Sequence, residues 1–273
     1  MKQGPSYLPN QIQLGESVIA HASTSPGPPI VCLHGFGGSG LDFDVLATHL
    51  VQHQQIIGLN LPGHGGVEFT SKPRQSIVDS IHAVCTTPFV LMGYSMGGRI
   101  ALELAQASTL PITKLILIGT TPGYRNDTER HERITFEAKV KARLTRDSVA
   151  GFESWWRTLP PIKTQSRMPE PFYEEMLNRR LRNHLGHLAE SLCHFGTSQM
   201  SPMWSKLTQL NMPVLLLAGE TDQKYRTLAH EMDSHLKHSR FVTITDAGHA
   251  PHLESPRATA AVIRQFLSQD GTE

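Results

Sequence analysis

The sequence predicts an α/β fold, a mostly parallel sheet with helices on both faces and an inserted helical lid. Three observations lead there. Short apolar runs of strand length alternate with amphipathic runs of helix length across most of the 273 residues, the pattern of a parallel sheet wrapped by helices. Several strand runs, such as Phe89-Val90-Leu91-Met92 and Val214-Leu215-Leu216-Leu217, are continuously apolar and read as buried strands. From about Arg125 to Met203 the alternation stops, and only helix-like segments punctuated by Pro160, Pro161, Pro169 and Pro171 remain.

In chain order, Ser17 to Ala22 reads as an edge strand. Ile30 to Leu33 is a second strand, and a helix is expected from Asp42 to His53. The strand Ile56 to Asn60 runs into Leu61-Pro62-Gly63-His64-Gly65, a tight structural reversal. A helix over Gln75 to Cys85 precedes the strand Phe89 to Gly93, which is followed by a helix over Met96 to Gln106 and a strand over Leu115 to Gly119. After the helical segment come the strand Val214 to Gly219, the helix Tyr225 to His238, the strand Phe241 to Thr245 and the helix Pro256 to Leu267. There is no internal repeat and no low-complexity tract. The expected organisation is one core made of residues 1–124 and 204–273, with residues 125–203 inserted as a helical lid.

The chemistry centres on Gly93-Tyr94-Ser95-Met96-Gly97. An apolar strand leads into this Gly-x-Ser-x-Gly and a helix leaves it, which is the context of a nucleophile elbow. The tight turn requires small neighbours, and it lifts the Ser95 hydroxyl to the end of a strand. In the alpha/beta-hydrolase arrangement an acid and then a histidine follow the serine in the chain. Asp222 follows the strand ending at Gly219, and His249 follows the strand ending at Thr245, so both lie at the carboxyl edge that carries Ser95. His249 is expected to take the Ser95 proton and Asp222 to fix its tautomer. Asp246 is an alternative orienter, but it lies too close in sequence to reach the ring easily. His252 is expected at the surface or behind the reacting groups. In this fold the loop after the first buried strand, His34-Gly35-Phe36-Gly37-Gly38, supplies one oxyanion donor and the residue after the nucleophile the other. The donors are therefore the Phe36 and Met96 amides. His34 is a candidate base, though a histidine bracing the loop fits better.

Formal net charge is +1, which gives no bias towards nucleic acid. No apolar run approaches the roughly 20 residues of a membrane span. Met1 to Pro9 contains no apolar core of a signal peptide. Cys32, Cys85 and Cys193 are odd in number and form no metal spacing, so they read as free, buried or half-buried thiols in a reducing cytoplasm. No metal and no organic cofactor is called for, and oligomeric state is left open. Between Arg125 and Arg182 there are thirteen Lys or Arg against nine Asp or Glu, while the rest of the chain has twelve against fifteen. Most of these charges are expected on a solvated helix face. An excess of arginine above a serine nucleophile nevertheless suits a small anionic substrate, because the guanidinium fork matches a carboxylate.

The whole chain from about Ile30 resembles a branch of the alpha/beta-hydrolase family, the 2-succinyl-6-hydroxy-2,4-cyclohexadiene-1-carboxylate (SHCHC) synthases of menaquinone and phylloquinone biosynthesis. The residues that carry the resemblance are Leu33-His34-Gly35-Phe36, Leu61-Pro62-Gly63-His64-Gly65, Gly93-Tyr94-Ser95-Met96-Gly97-Gly98-Arg99, Pro122-Gly123 with Glu132-Arg133, Phe152 with Trp155, Gly219-Glu220-x-Asp222-x-Lys224-Tyr225, and Gly248-His249-Ala250-x-His252-x-Glu254. The resemblance implies a lyase in which the triad acts as a base on a substrate with three carboxylates, releasing pyruvate. It implies that Arg99, Arg133 and Arg180 bind anions, with Arg179 and Arg182 as neighbours that could take the last place. It implies that Trp155 and Tyr94 contact the substrate. Asn60 departs from the Asp of many relatives, at a strand end.

Two other readings fit parts of the pattern. A carboxylesterase or carbon–carbon bond hydrolase would use the same triad and would release acid from simple esters. A non-catalytic receptor on this fold would keep the pocket for ligand binding alone.

Overall fold

The computed structural model describes residues 10–14, 18–23, 25, 27–50, 52, 54–107 and 109–269. Met1 to Pro9, Ser17 and His53, on which expectations were placed above, lie outside that set. The described residues form an eight-stranded sheet in the order β1-β2-β4-β3-β5-β6-β7-β8. The strands are β1 (Asn10–Leu14), β2 (Val18–Ala22), β3 (Pro29–Leu33), β4 (Gln55–Asn60), β5 (Phe89–Tyr94), β6 (Ile112–Ile118), β7 (Val214–Gly219) and β8 (Ser239–Ile244). From β4 to β8 every pairing is parallel, whereas β1 and β2 pair antiparallel. The sequence reading placed β2 at the edge. The structure corrects this, because β1 covers it. The missed strand, Asn10-Gln11-Ile12-Gln13-Leu14, is too polar and short to stand out.

Parity along each strand decides the two cores. On β3, Val31 and Leu33 face one helical layer while Ile30 and Cys32 face the other. The same division separates Leu91 from Val90 and Met92 on β5, and Leu216 from Leu215 and Leu217 on β7. Side chains of a strand alternate between faces. A strand covered on both sides must therefore be apolar throughout, which is why β5 and β7 read as unbroken runs.

The short α1 (Asp44–Ala47) replaces the helix expected from Asp42 to His53. It follows a 3-10 turn over Gly40–Phe43, where Asp42 accepts from the Ser39 amide at 3.1 Å. At the other end the Thr48 hydroxyl donates to the Val45 carbonyl at 2.7 Å, a local bond that competes with helical continuation. The helices α2 (Pro73–Val84) and α3 (Met96–Ala107) match expectation within two residues; α2 starts on a proline whose missing N–H costs nothing at that position. The inserted residues between β6 and β7 form α4 (Asp127–Arg146), α5 (Val149–Trp156), α6 (Pro160–Lys163), α7 (Phe172–Arg180) and α8 (Leu185–Phe195). These helices share a small apolar core of their own, built on Val140, Leu144, Phe152, Trp156, Ile162 and Leu188. The last helices are α9 (Gln223–His235), α10 (Pro251–Glu254) and α11 (Pro256–Ser268). No helix among the described residues is long and apolar enough to cross a membrane.

Strand order reverses at β3: the chain moves to β4 on one side and then returns to β5 on the other. The loops leaving β3 and β5 therefore diverge and leave a crevice at their carboxyl ends, the usual ligand position of an open parallel sheet.

Candidate active site

Ser95 sits at that crevice with φ +50°, a conformation seldom adopted by a residue with a side chain. The turn is held from below: the Ser95 amide donates to the Ile118 carbonyl at 2.9 Å, and the Ser95 carbonyl accepts from the Arg99 amide and the Thr120 hydroxyl. A Cβ at Gly97 would lie 2.0 Å from the Leu33 carbonyl oxygen, and one at Gly93 would lie 2.4 Å from that of Gly97. The glycines of the motif are thus fixed by strand-to-helix contact.

His249 places Nε2 3.2 Å from Ser95 Oγ and Nδ1 2.7 Å from Asp222 Oδ2. A carboxylate only accepts, so Nδ1 carries the proton and Nε2 is left to accept from the serine. Asp222 is fixed by a second task. As the N-cap of α9, its other oxygen accepts from the Tyr225 amide at 3.3 Å. Asp246, the alternative orienter, instead donates its amide to Glu220 at 3.2 Å. His249 is buried between the rings of Tyr94 and Tyr225 at 5.3 and 4.4 Å. Such a line of groups can remove a proton from an acid held above Ser95.

His34 braces the loop. Nδ1 contacts the Gly35 carbonyl at 2.7 Å and Nε2 accepts from the Leu61 amide at 3.0 Å, so both nitrogens are committed. Burial lowers its pKa, which keeps it neutral. The reversal after β4 packs behind it, and burial takes His64 there down to about 3. Asn60 joins these parts, accepting from the Gly40 amide at 2.7 Å and donating to the Gly65 carbonyl at 2.9 Å.

A cavity of about 490 Å³ opens above Ser95, and Phe36, Tyr94, Met96 and His249 line it. Arg99, Arg133 and Arg180 reach it from α3, α4 and α7. Arg99 Nη2 donates to the Phe195 carbonyl at 2.6 Å, and burial, then the charge of Arg133, pulls its pKa down to about 10. Arg133 meets Glu137 at 3.3 Å. Arg180 donates through Nη2 to Gln165 at 2.8 Å, while its Nη1 lies 3.5 Å from Glu153 without a hydrogen bond. Burial raises the Glu153 pKa, against the pull of Arg180. Of the clustered arginines only Arg180 lines this cavity. Arg179 turns to Asp42 at 3.1 Å, and Arg182 is exposed. Burial works against the Asp42 carboxylate, yet Arg179 and Arg180 hold its pKa below the usual value.

The indole on the cavity wall belongs to Trp156; Trp155, the substrate contact that the resemblance implied, is not among the residues lining it. Successive residues of a helix point about 100° apart, so α5 can present only one of the pair. Trp156 is buried against Phe36 at 5.4 Å, whereas Trp155 lies beneath the Arg143 guanidinium at 5.1 Å. Of the two places expected for His252, the structure gives the one behind the reacting groups: it is fully buried between Phe43 and Tyr94, and burial takes its pKa to about 3. Cys193 is exposed, whereas Cys32 and Cys85 are buried. The arginines of the insertion are mostly at the surface, in pairs such as Arg125 with Glu129 and Arg143 with Asp147. Gln165 was not foreseen. It is buried and joins Arg180 to the Tyr94 hydroxyl, its Nε2 donating there at 3.2 Å. Nothing in the sequence near Gln165 marks a contact 71 residues away.

Sheet order, elbow serine and the histidine–aspartate pair define an α/β enzyme fold with a serine at its centre. The model of the alpha/beta hydrolase family matches residues 30–262, and the chain belongs to that family. Within it, the chain is 30% identical over 262 residues to a Bacillus subtilis protein with the provisional name 2-succinyl-6-hydroxy-2,4-cyclohexadiene-1-carboxylate synthase, covering 92% of this chain and 95% of that one. It is 28% identical to the protein of that name from Pectobacterium atrosepticum, over 92% of this chain and 98% of the other. The solved structure of MenH from S. aureus superposes with a TM-score of 0.84 at 26% identity, covering 91% of this chain and 97% of that one.

Proposed function

We propose that the chain is a carbon–oxygen lyase that eliminates pyruvate from 2-succinyl-5-enolpyruvyl-6-hydroxy-3-cyclohexene-1-carboxylate (SEPHCHC) to give SHCHC, the product named in its relatives. Ser95, activated by His249 and Asp222, is the base. It takes the ring proton beside the succinyl ketone. That electron pair forms one ring double bond, the existing double bond shifts by one position, and the C–O bond to the enolpyruvyl group breaks. Pyruvate leaves as its enolate and takes up a proton. The ketone oxygen gains negative charge on the way, and the Phe36 and Met96 amides hold it. The inserted helices act as the lid that shapes the cavity and limits water.

One observation favours this reading over ester hydrolysis. Each of the three cavity arginines keeps a buried Nε–H with no hydrogen-bond acceptor among the described residues: Arg99, Arg133 and Arg180. Buried donors without partners are costly and call for a ligand that supplies acceptors. The substrate carries three carboxylates, which are good partners for guanidinium groups. Trp156 supplies an apolar wall for the ring.

The test is pyruvate release from freshly made SEPHCHC, run beside a panel of simple esters. Wild type should release pyruvate and hydrolyse esters poorly, and Ser95→Ala should lose release while keeping the fold. Fast ester hydrolysis without pyruvate release would establish the esterase reading instead.

A further inference from the structure

The geometry points to Thr164 and Glu254 as positioning residues for His249, linking the docking of the helical insertion to the set of the triad; this rests on His249 activating Ser95. His249 lies in the short connection between β8 and α10. The amides on either side of it, Gly248 and Ala250, both donate to one buried carboxylate, that of Glu254, at 2.7 and 3.1 Å. The carboxylate thus staples the backbone around the histidine, which fixes where the ring starts from before Asp222 sets its tilt.

A third donor reaches the same carboxylate from far away in the chain. The Thr164 hydroxyl donates to Glu254 Oε1 at 2.9 Å across 90 residues. Thr164 closes α6 and opens the 3-10 turn that follows, within the insertion. It also lies against the loop itself: a Cβ at Gly248 would be 2.3 Å from Thr164 Oγ1 and 2.7 Å from its Cβ. Position 248 must therefore be glycine for this turn to seat. The adjacent Gln165 bonds Tyr94 and Arg180. One turn of the insertion thus touches the histidine loop, the residue before the nucleophile, and an anion-binding arginine. When this turn seats, Glu254 gains its hydroxyl donor and the His249 backbone is held; when it lifts, the staple loses a partner.

Thr164→Val keeps the shape and removes the hydroxyl. It should lower kcat for SEPHCHC by about tenfold, the scale of one lost hydrogen bond to a charged group, and leave KM within about twofold. Phosphonylation of Ser95 by a small fluorophosphonate, which needs an aligned His249 but no substrate, should slow by a similar factor. Thr164→Ser should restore both rates. Glu254→Gln turns an acceptor into a donor facing an N–H and should cut both rates further, by about 100-fold. If Glu254→Gln does not fold, the Thr164 variants decide alone. A change in KM alone would make Thr164 a substrate contact and overturn the proposal. Unchanged phosphonylation in Thr164→Val, or no rescue by serine, would also overturn it. If wild type releases no pyruvate while phosphonylation still follows Thr164, the lyase reading fails and the positioning role stands.

Discussion

Replacing Arg133 with alanine separates an anion-binding cavity from a plain esterase cavity. Arg180 is less suitable, because its loss would strand the buried Glu153 carboxylate. Arg133 can be removed cleanly. Its partner Glu137 keeps the Ser198 amide at 3.2 Å and the Ser198 hydroxyl, so no buried acceptor is orphaned. The pair itself is an i,i+4 contact at 3.3 Å with the arginine side chain 28% exposed and the Glu137 carboxylate buried but still held by Ser198, worth about 1 kcal/mol. Thermal unfolding should therefore shift by about 2–4 °C. A buried charge-assisted bond to a substrate carboxylate is worth about 2–5 kcal/mol on truncation. Partial exposure of Arg133 places it at the lower end, about 2 kcal/mol, and at 1.36 kcal/mol per decade this is roughly a 30-fold loss in kcat/KM. The assay is initial-rate pyruvate release from SEPHCHC, coupled to NADH oxidation by lactate dehydrogenase, beside hydrolysis of p-nitrophenyl acetate. The lyase rate should fall about 30-fold and the ester rate should hold. Arg133→Lys should recover part of the loss, since it returns the charge without the fork. Equal losses on both substrates, or none on either, would refute the anion-clamp reasoning.

Asp222→Asn should lower kcat by about 100-fold or more while α9 keeps a competent N-cap, and Asp246→Asn should stay near wild type; steady-state kinetics of the two variants decide between the acids. Trp156→Ala should raise KM for SEPHCHC several-fold, whereas Trp155→Ala should leave KM unchanged, because only the former ring lines the cavity. His252 has a pKa of about 3 in the folded chain against 6.5 as the ordinary value, and neither ring nitrogen has a hydrogen-bond partner among the described residues. The stability its neutral ring contributes is complete above pH 6.5 and is lost as pH falls from 6.5 towards 3, since the unfolded chain then binds the proton. His252→Phe should therefore narrow the gap between melting temperatures at pH 7 and pH 5; an unchanged gap would remove His252 from the acid response.

Much of this was legible in the sequence because it depends on local rules. Continuous apolar runs marked β5 and β7, and the positions of Ser95, Asp222 and His249 just past strand ends put them at one edge of the sheet before any distance was known. Glycine spacing marked the elbow because a strand-to-helix reversal admits no Cβ there. The polar β1 carries no such signal, since a strand at the edge of a sheet needs no continuous apolar run. The helix expected after Ser39 is shorter in the structure: Asp42 caps the start of a 3-10 turn, and the Thr48 hydroxyl bonds the Val45 carbonyl where α1 stops.

The sequence by itself determined the fold class and the chain order of the candidate triad, which follow from periodicity and from turns of a few residues, while the choice of Arg99, Arg133 and Arg180 came from the family resemblance. Tertiary structure alone decided which members of each crowded set face the cavity: Arg180 rather than Arg179, and Trp156 rather than Trp155. It alone brought Thr164 to Glu254 and Gln165 to Tyr94. The physical reason is that each residue along a helix turns its side chain by about 100°. A one-residue shift in how the helix docks changes which side chain points inward, and docking is set by contacts with residues tens of positions away.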